Sequence, residues 1–140
     1  MIRVFQKEDL QNMNIHISQA WIKPYLTDEV LNSIEVSQDA YSVVEDGKVT
    51  ACGGVVLTED GIGKAWAFFS DDAGKYMYKI TKMVLKYLPT FREYDKIVAS
   101  VEDNFEQGNK FMNLVGFTKE KFIENFLPNG ASVNMYGRSI

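Results

Sequence analysis

The sequence contains little that supports cysteine, histidine or metal chemistry. Among 140 residues there are one cysteine, Cys52, and one histidine, His16. A single cysteine excludes an internal disulfide, and one cysteine with one histidine excludes a Cys/His zinc array. A Ser-His-Asp or Cys-His enzyme would have to use His16 alone. We therefore expect no metal.

The chain also lacks a long apolar run and an excess of positive charge. Its first nine residues already include charged side chains, and no stretch approaches the ~18 apolar residues of a membrane-spanning helix. The formal net charge of −4 disfavours attraction of the whole surface to nucleic acid or an anionic membrane. We expect a cytoplasmic protein without a nucleic-acid or membrane partner.

What is present is the composition of a globular protein. Hydrophobic residues make up 46%, charged residues 24% and aromatic residues 13%. Domains commonly contain ~100–150 residues. We therefore expect residues 1–140 to form a single domain.

Apolar residues at helical spacing predict four helices. The first covers Gln6 to Lys23 and is ended by Pro24, and the second begins near Asp28 after a cap-like segment. The remaining two are Asp71 to Leu88, which Pro89 stops, and Gln107 to Val115, with Gly116 in its left-handed terminal position.

Apolar segments bounded by turn residues predict the strands. They are Ile2–Phe5, Ala40–Val44, Val49–Leu57, Ala65–Phe69, Ile97–Val101, Phe117–Leu127 and Ala131–Tyr136. The second to fourth strands form a predicted antiparallel meander with turns at 45–48 and 59–63. The helix between the fourth and fifth strands implies that those two are adjacent and parallel. The predicted order, βααβββαβαββ, indicates an α/β fold with a mixed, mostly antiparallel central sheet flanked by helices.

This order and two local segments resemble the GCN5-related N-acetyltransferase (GNAT) superfamily. The first segment is the strand, turn and helix from Ala65 to Leu88, where family members hold the pyrophosphate of acetyl-CoA. The second runs from Val101 to Phe117 and ends in a corner similar to the family's Leu-Gly-Phe pattern. A second, more distant resemblance is to the acetyltransferase-like small internal virion proteins of T7-like phages. It rests on length and on the step from Trp66 to Asp71, and it would add the virion as a location.

The GNAT resemblance implies an acetyl-CoA-dependent N-acetyltransferase that moves an acyl group from CoA to a substrate amine. Glu102, at the end of the penultimate-strand segment, is the implied general base. The backbone of the fourth strand would hold the acetyl carbonyl and pantetheine. The implied cofactor-binding residues are Phe68, Phe69, Ser70, Ala73, Gly74, Lys75 and Asn109.

The sequence departs from the family pattern at the pyrophosphate loop, which typically reads Gln/Arg-x-x-Gly-x-Gly/Ala. Gly74 is the single glycine between Phe69 and Tyr76, and neither register of the motif fits. Asp71 and Asp72 stand where the helix N-terminus would receive phosphate. Lys75 and Lys79 follow one and two helical turns later, and their side chains could still reach a phosphate group.

The chain also lacks the tyrosine that many members place four residues before the glycine of the Gly-Phe corner. Met112 stands there, and methionine cannot be a general acid. Tyr76, Tyr78 and Tyr136 remain open as substitutes.

These departures support a second hypothesis, a non-catalytic scaffold with this fold or a phage virion or host-interaction protein that has lost CoA binding. Its protein partner would contact a basic stripe on the long helix. The stripe consists of Lys75, Lys79, Lys82 and Lys86. The same stripe is also typical of an ordinary solvated helix face.

Overall fold

The structure, a computed structural model, describes residues 1–37, 39–59, 61–91 and 93–139. Within these residues the strands are β1 (Ile2–Val4), β2 (Ala40–Glu45), β3 (Lys48–Glu59), β4 (Ile62–Phe69), β5 (Lys96–Glu102), β6 (Thr118–Ile123) and β7 (Val133–Ser139). The α-helices are α1 (Lys7–Gln11), α2 (Asp28–Ser37), α3 (Met77–Tyr87) and α4 (Glu106–Leu114). Shorter 3-10 helices cover Ile17–Tyr25, Ala73–Tyr76 and Leu88–Thr90.

The strands form a mixed sheet in the order β1-β2-β3-β4-β5-β7-β6. The pairs β1–β2, β2–β3, β5–β7 and β6–β7 are antiparallel, and β4–β5 is parallel. The predicted fold class and element order are therefore confirmed. β6 lies at one end of the sheet, and its side chains are exposed from Thr118 to Phe122.

The parallel pairing of β4 with β5 was predicted correctly, but its position in β4 was not. The paired residues are Ile62–Lys64 with Lys96–Val98, whereas the predicted strand began only at Ala65. The backbone N–H groups of Asp95 and Lys96 both donate to the Gly61 carbonyl, at 2.7 and 3.1 Å. These bonds fix the start of β5 beside the start of β4.

The prediction of one helix from Gln6 to Lys23 is wrong. α1 ends at Gln11, Ile15 forms an isolated antiparallel bridge with Ser70, and a 3-10 helix follows. The Asp71 N–H donates to the Asn14 carbonyl and the His16 N–H donates to the Phe69 carbonyl, each at 2.8 Å. These bonds require extended backbone in the middle of the predicted helix. Pro24 lies inside the 3-10 helix and does not end the segment.

The long helix predicted from Asp71 also begins later, because its first turn has 3-10 spacing. The Ala73 N–H donates to the Ser70 carbonyl and the Lys75 N–H to the Asp72 carbonyl, both three residues back. α3 therefore starts at Met77. At the other end, Pro89 lies in the first turn of the 3-10 helix that follows α3.

Local turn chemistry was predicted more accurately. Asp46 and Gly47 have φ of 50° and 75°, the left-handed pair of a tight hairpin between β2 and β3. Gly116 follows α4 with φ of 89°, as expected for a helix C-terminus. The predicted turn at 59–63 includes Asp60, which lies outside the described residues.

The chain divides into two compact units. The first unit comprises Met1–Val55 and Ala67–Ile80, and the second comprises Val56–Trp66 and Thr81–Ile140. Each has fully buried apolar side chains of its own. They include Phe5, Leu31 and Ile80 in the first unit and Ile97, Val115 and Val133 in the second. A single domain over residues 1–140 stays a prediction.

A partly buried ion pair joins β1, α1 and β2 in the first unit. Arg3 donates from both terminal nitrogens to Asp9, at 2.7 and 2.8 Å, and Ser42 Oγ donates to Asp9 Oδ2 at 2.7 Å. The Gln6 N–H adds a bond to the same carboxylate at 2.9 Å. Burial alone would raise the pKa of Asp9, but these hydrogen bonds and the charge of Arg3 hold it below its ordinary value.

We expect Asp9→Ala to lower the free energy of unfolding at pH 7 by about 3 kcal/mol, because it leaves a partly buried guanidinium unpaired. Since the folded-state pKa of Asp9 is depressed, its contribution is present above the ordinary value of 3.8 and is lost as pH falls through the folded value. Urea denaturation at pH 7 and pH 3 measures both effects. Glu8→Ala, an exposed neighbour in α1, is the control and should change stability by less than ~1 kcal/mol. Equal losses in the two variants would contradict the assignment.

Candidate functional site

The predicted cofactor-binding residues fall in both units. Phe68 and Phe69 end β4, and Ser70 and Ala73 follow in the first unit. Phe69, Ser70 and Ala73 are buried, whereas Gly74 and Lys75 are exposed. The remaining residues predicted from the family resemblance, Glu102 and Asn109, belong to the second unit.

Polar groups of the first unit already bind the backbone at the end of β4. Gln19, only 6% exposed, donates from Nε2 to the Ala67 carbonyl at 2.8 Å. Its Oε1 accepts from the Phe69 N–H at 2.9 Å, and the Phe69 carbonyl accepts from His16. Sequence reasoning missed Gln19, since within a predicted amphipathic helix nothing distinguishes a buried glutamine.

The predicted phosphate loop carries a firmly ionised carboxylate. Asp72 Oδ2 pairs with Lys48 Nζ, and Asp72 Oδ1 accepts from Ser70 Oγ at 2.7 Å. These bonds, with that from Lys48 first, lower the pKa of Asp72 to about 2. A Cβ added at Gly74 would meet nothing within 4 Å, so the space beside this glycine is open.

Two further contacts tie the hairpin between β2 and β3 to the start of α3. Tyr76 donates from its hydroxyl to Asp46 at 2.7 Å, and Lys79 lies 3.2 Å from Glu45. The Tyr76 hydroxyl therefore links the hairpin to the turn that precedes α3. Tyr78 is 77% exposed. Of the three tyrosines that the sequence left open, Tyr136 alone shares the second unit with Glu102.

Glu102 is the last residue of β5 and is only 7% exposed. Its carbonyl accepts from the Phe105 N–H and from Asn109 Nδ2, each at 3.0 Å, which holds the strand end against the start of α4. In the ladder with β7, Glu102 faces Val133, whereas Asn134 faces Val101. Directly opposed residues share a face and successive residues alternate, so the side chains of Glu102 and Asn134 lie on opposite faces.

Asn109 is the centre of a polar cluster between α4 and β7. Its Oδ1 accepts from the Tyr136 hydroxyl at 2.7 Å and from Asn134 Nδ2 at 2.9 Å. Asn134 Nδ2 also donates to Asp103 at 3.1 Å, while Asn134 Oδ1 is buried without a hydrogen-bond partner among the described residues. Burial and the nearby charge of Asp103 raise the pKa of Tyr136. The Asn109 amide therefore stabilises the protein itself.

The described ranges contain neither a metal-binding cluster nor a membrane-spanning helix. No group of three or more His, Cys, Asp or Glu side chains there could hold a metal ion. No helix formed by these residues is long and apolar enough to cross a membrane.

Comparison by sequence gives no match, either to a family model or to a curated protein. Comparison by structure gives extensive likeness at low identity. Ard1 from Thermoplasma volcanium aligns over 100% of this chain and 97% of its own, with a TM-score of 0.76 and 14% identity. This degree of identity shows a shared fold.

Two further solved structures give the same result. The acetyltransferase yncA from Salmonella typhimurium, solved with acetyl-CoA, aligns over 99% of this chain and 92% of its own, with a TM-score of 0.71 and 14% identity. A spermidine N-acetyltransferase SpeG chimera from Vibrio cholerae and hSSAT aligns over 99% and 94%, with a TM-score of 0.68 and 16% identity. A GNAT-family structure from Bacillus anthracis also matches, with a TM-score of 0.66. The fold is thus that of GNAT acetyltransferases, while the phage virion resemblance gains no support.

We expect Asn109→Ala and Tyr136→Phe to be coupled, because the two side chains share a partly buried hydrogen bond. A double-mutant cycle measured by urea denaturation should give a coupling energy of about 1 kcal/mol. The control cycle pairs Asn109→Ala with Tyr78→Phe, at an exposed tyrosine, and should give a coupling energy near zero. Additive effects of Asn109→Ala and Tyr136→Phe on the free energy of unfolding would contradict the inferred interaction between the two side chains.

Proposed function

We propose that the chain is a divergent GNAT-type N-acyltransferase that transfers an acetyl group from CoA to a substrate amine. The likeness to acetyltransferases over the whole chain is the observation that carries this proposal. One neighbour is named for spermidine, which supports a small-molecule amine as the substrate class. A protein amine remains an alternative acceptor. A single domain and a cytoplasmic location are parts of the same proposal.

Glu102 is the proposed general base. Its carboxylate can accept the proton that a substrate amine must lose, so that an N–H bond breaks and an O–H bond forms. Burial at the end of β5 limits hydration of this carboxylate, which strengthens its interaction with a cationic amine. Acetyl-CoA, when bound, would supply the thioester.

The first unit does not fit acetyl-CoA in the conformation described. The N–H of Phe69 and the carbonyls of Ala67 and Phe69 are bonded to Gln19 and His16. Asp72 places an ionised carboxylate where phosphate would have to approach.

The same misfit favours the second candidate, a non-catalytic protein that retains the fold as a scaffold. Its partner would contact the basic stripe of α3 and the preceding turn. Lys75, Lys79, Lys82 and Lys86 are all exposed, although Lys79 also pairs with Glu45. A virion role for such a scaffold rests on the sequence resemblance alone.

The two candidates differ in their response to Glu102→Gln, which keeps the shape of the side chain and removes its basic site. For an enzyme we expect amine-dependent release of the CoA thiol to fall by ~10²–10⁴-fold while the thermal unfolding midpoint changes little. Glu106→Gln, an exposed first-turn residue of α4, is the matched control.

The outcomes separate the parts of the proposal. Transfer that survives Glu102→Gln would overturn the assignment of the base and leave the enzyme class standing. No transfer by the wild type to polyamines, amino acids, aminoglycosides or peptide N-termini would favour the scaffold.

We also expect weak binding of acetyl-CoA, with a Kd nearer millimolar than micromolar, a difference of ~4 kcal/mol. Because the pKa of Asp72 is about 2, the repulsion persists throughout pH 5–8. Asp72→Gly should tighten binding about tenfold in calorimetric titration, since it removes a negative charge and releases Lys48. Asp28→Asn, on α2, is the control. Micromolar binding by the wild type with no gain in Asp72→Gly would contradict this account.

A further inference from the structure

The segment Asn14–Gln19 covers one edge of β4. Ile15 bridges Ser70, the Asp71 N–H donates to the Asn14 carbonyl, and the His16 N–H donates to the Phe69 carbonyl. The opposite edge belongs to β3, since the Ser70 N–H donates to the Thr50 carbonyl at 3.0 Å. The end of β4 is therefore enclosed on both edges within the first unit.

Gln19 completes this closure with its side chain. Nε2 donates to the Ala67 carbonyl and Oε1 accepts from the Phe69 N–H, the two groups that flank Phe68 on one edge of the strand. A residue of a neighbouring parallel strand makes this same pair of bonds. The Gln19 side chain thus supplies the two hydrogen bonds that one residue of a neighbouring strand would make at this edge.

The position of Gln19 is fixed by the start of its own helix. The Gln19 N–H donates to the His16 carbonyl at 2.8 Å, and the His16 ring nitrogen Nδ1 accepts from the Ser18 N–H at 3.1 Å. The His16 N–H is itself bonded to Phe69. The amide is therefore directed at β4 by the backbone that anchors it, and it is almost fully buried.

We propose that Gln19 is an internal substitute for the amide groups of a ligand and that it sets the affinity of this protein for a CoA thioester. The inference rests on the proposed function. The pantetheine arm of CoA contains two secondary amides, and a trans amide directs its N–H and its carbonyl in opposite directions. The N–H of one amide and the carbonyl of the other would therefore take the two places, and they reach Ala67 and Phe69 only when the Gln19 side chain withdraws. The exchange replaces two hydrogen bonds with two of the same kind, so it contributes little net affinity. The backbone bond from His16 to the Phe69 carbonyl need not break.

Gln19→Ala tests the proposal because it removes the competing amide and leaves the backbone path of the segment intact. Calorimetric titration with acetyl-CoA should give a Kd at least about fivefold lower than that of the wild type. Pantetheine, which has the amides without the diphosphate, should gain by a similar factor. Asp72→Gly should tighten the binding of acetyl-CoA but leave the binding of pantetheine unchanged, because pantetheine has no diphosphate. The matched control is Gln11→Ala, whose exposed amide bonds to Asp28 instead of β4.

Amide hydrogen exchange gives a readout that does not depend on activity. The Phe69 N–H should exchange at least ~10-fold faster in Gln19→Ala and regain protection at saturating pantetheine. Should the alanine variant fail to fold, Gln19→Asn serves in its place, since its shorter side chain cannot span both groups. Its Kd should also fall.

The results distinguish this inference from the proposed function. Equal affinities of wild type and folded Gln19 variants overturn the role of Gln19 and leave the transferase standing. Tighter binding by the variants without acetyl transfer by any form supports Gln19 and overturns the transferase. Absence of binding to every form overturns both.

Discussion

The backbone from Ala67 to Asp71, which is the end of β4 and the two residues after it, needs hydrogen-bond partners on two edges, and much of the first unit is arranged to provide them. β3 serves one edge through Thr50, and the N-terminal segment serves the other. Leaving a buried N–H or carbonyl unpaired costs roughly 1–3 kcal/mol. This cost outweighs the modest advantage of continuing a helix with residues that could form one. α1 consequently ends at Gln11, and the chain extends at Ile15 before it turns again.

This requirement separates what could be predicted from the sequence from what could not. Hydrophobic period and turn chemistry act over a few residues, so they were sufficient for α3 from Met77 onward, for α4 and for the Asp46–Gly47 turn. The parallel pairing of β4 with β5 followed from the helix that connects them. The path of residues 14–19 depends on hydrogen-bond partners about 50 positions away along the chain. The spacing of apolar residues does not indicate such distant partners. For the site, the family resemblance led to Glu102 at a strand end, where a buried carboxylate is found. It also suggested Asn109 as a cofactor ligand, although the Asn109 amide bonds to the protein's own carbonyls and side chains.

Both units use amide side chains as structural connectors. In the first unit, Gln19 bonds two backbone groups of one strand. In the second, Asn109 bonds the carbonyls of Glu102 and Phe105 and also two side chains of β7. An amide suits these positions because it donates and accepts without adding charge, and burial of a charge would cost far more. The ion pair between Lys48 and Asp72, near the predicted phosphate loop, instead stays partly exposed to solvent.

The exposed strand at the end of the sheet bears on how this protein behaves in concentrated solution. The outer edge of a terminal strand offers unpaired backbone groups to which another chain can add. β6 carries Lys119, Glu120 and Lys121 in succession, and its pairing with β7 is irregular between Lys119 and Lys121. The irregularity bends the edge, and a second copy would have to bury these charges against its own. The sheet therefore resists growth into ordered aggregates at its β6 edge.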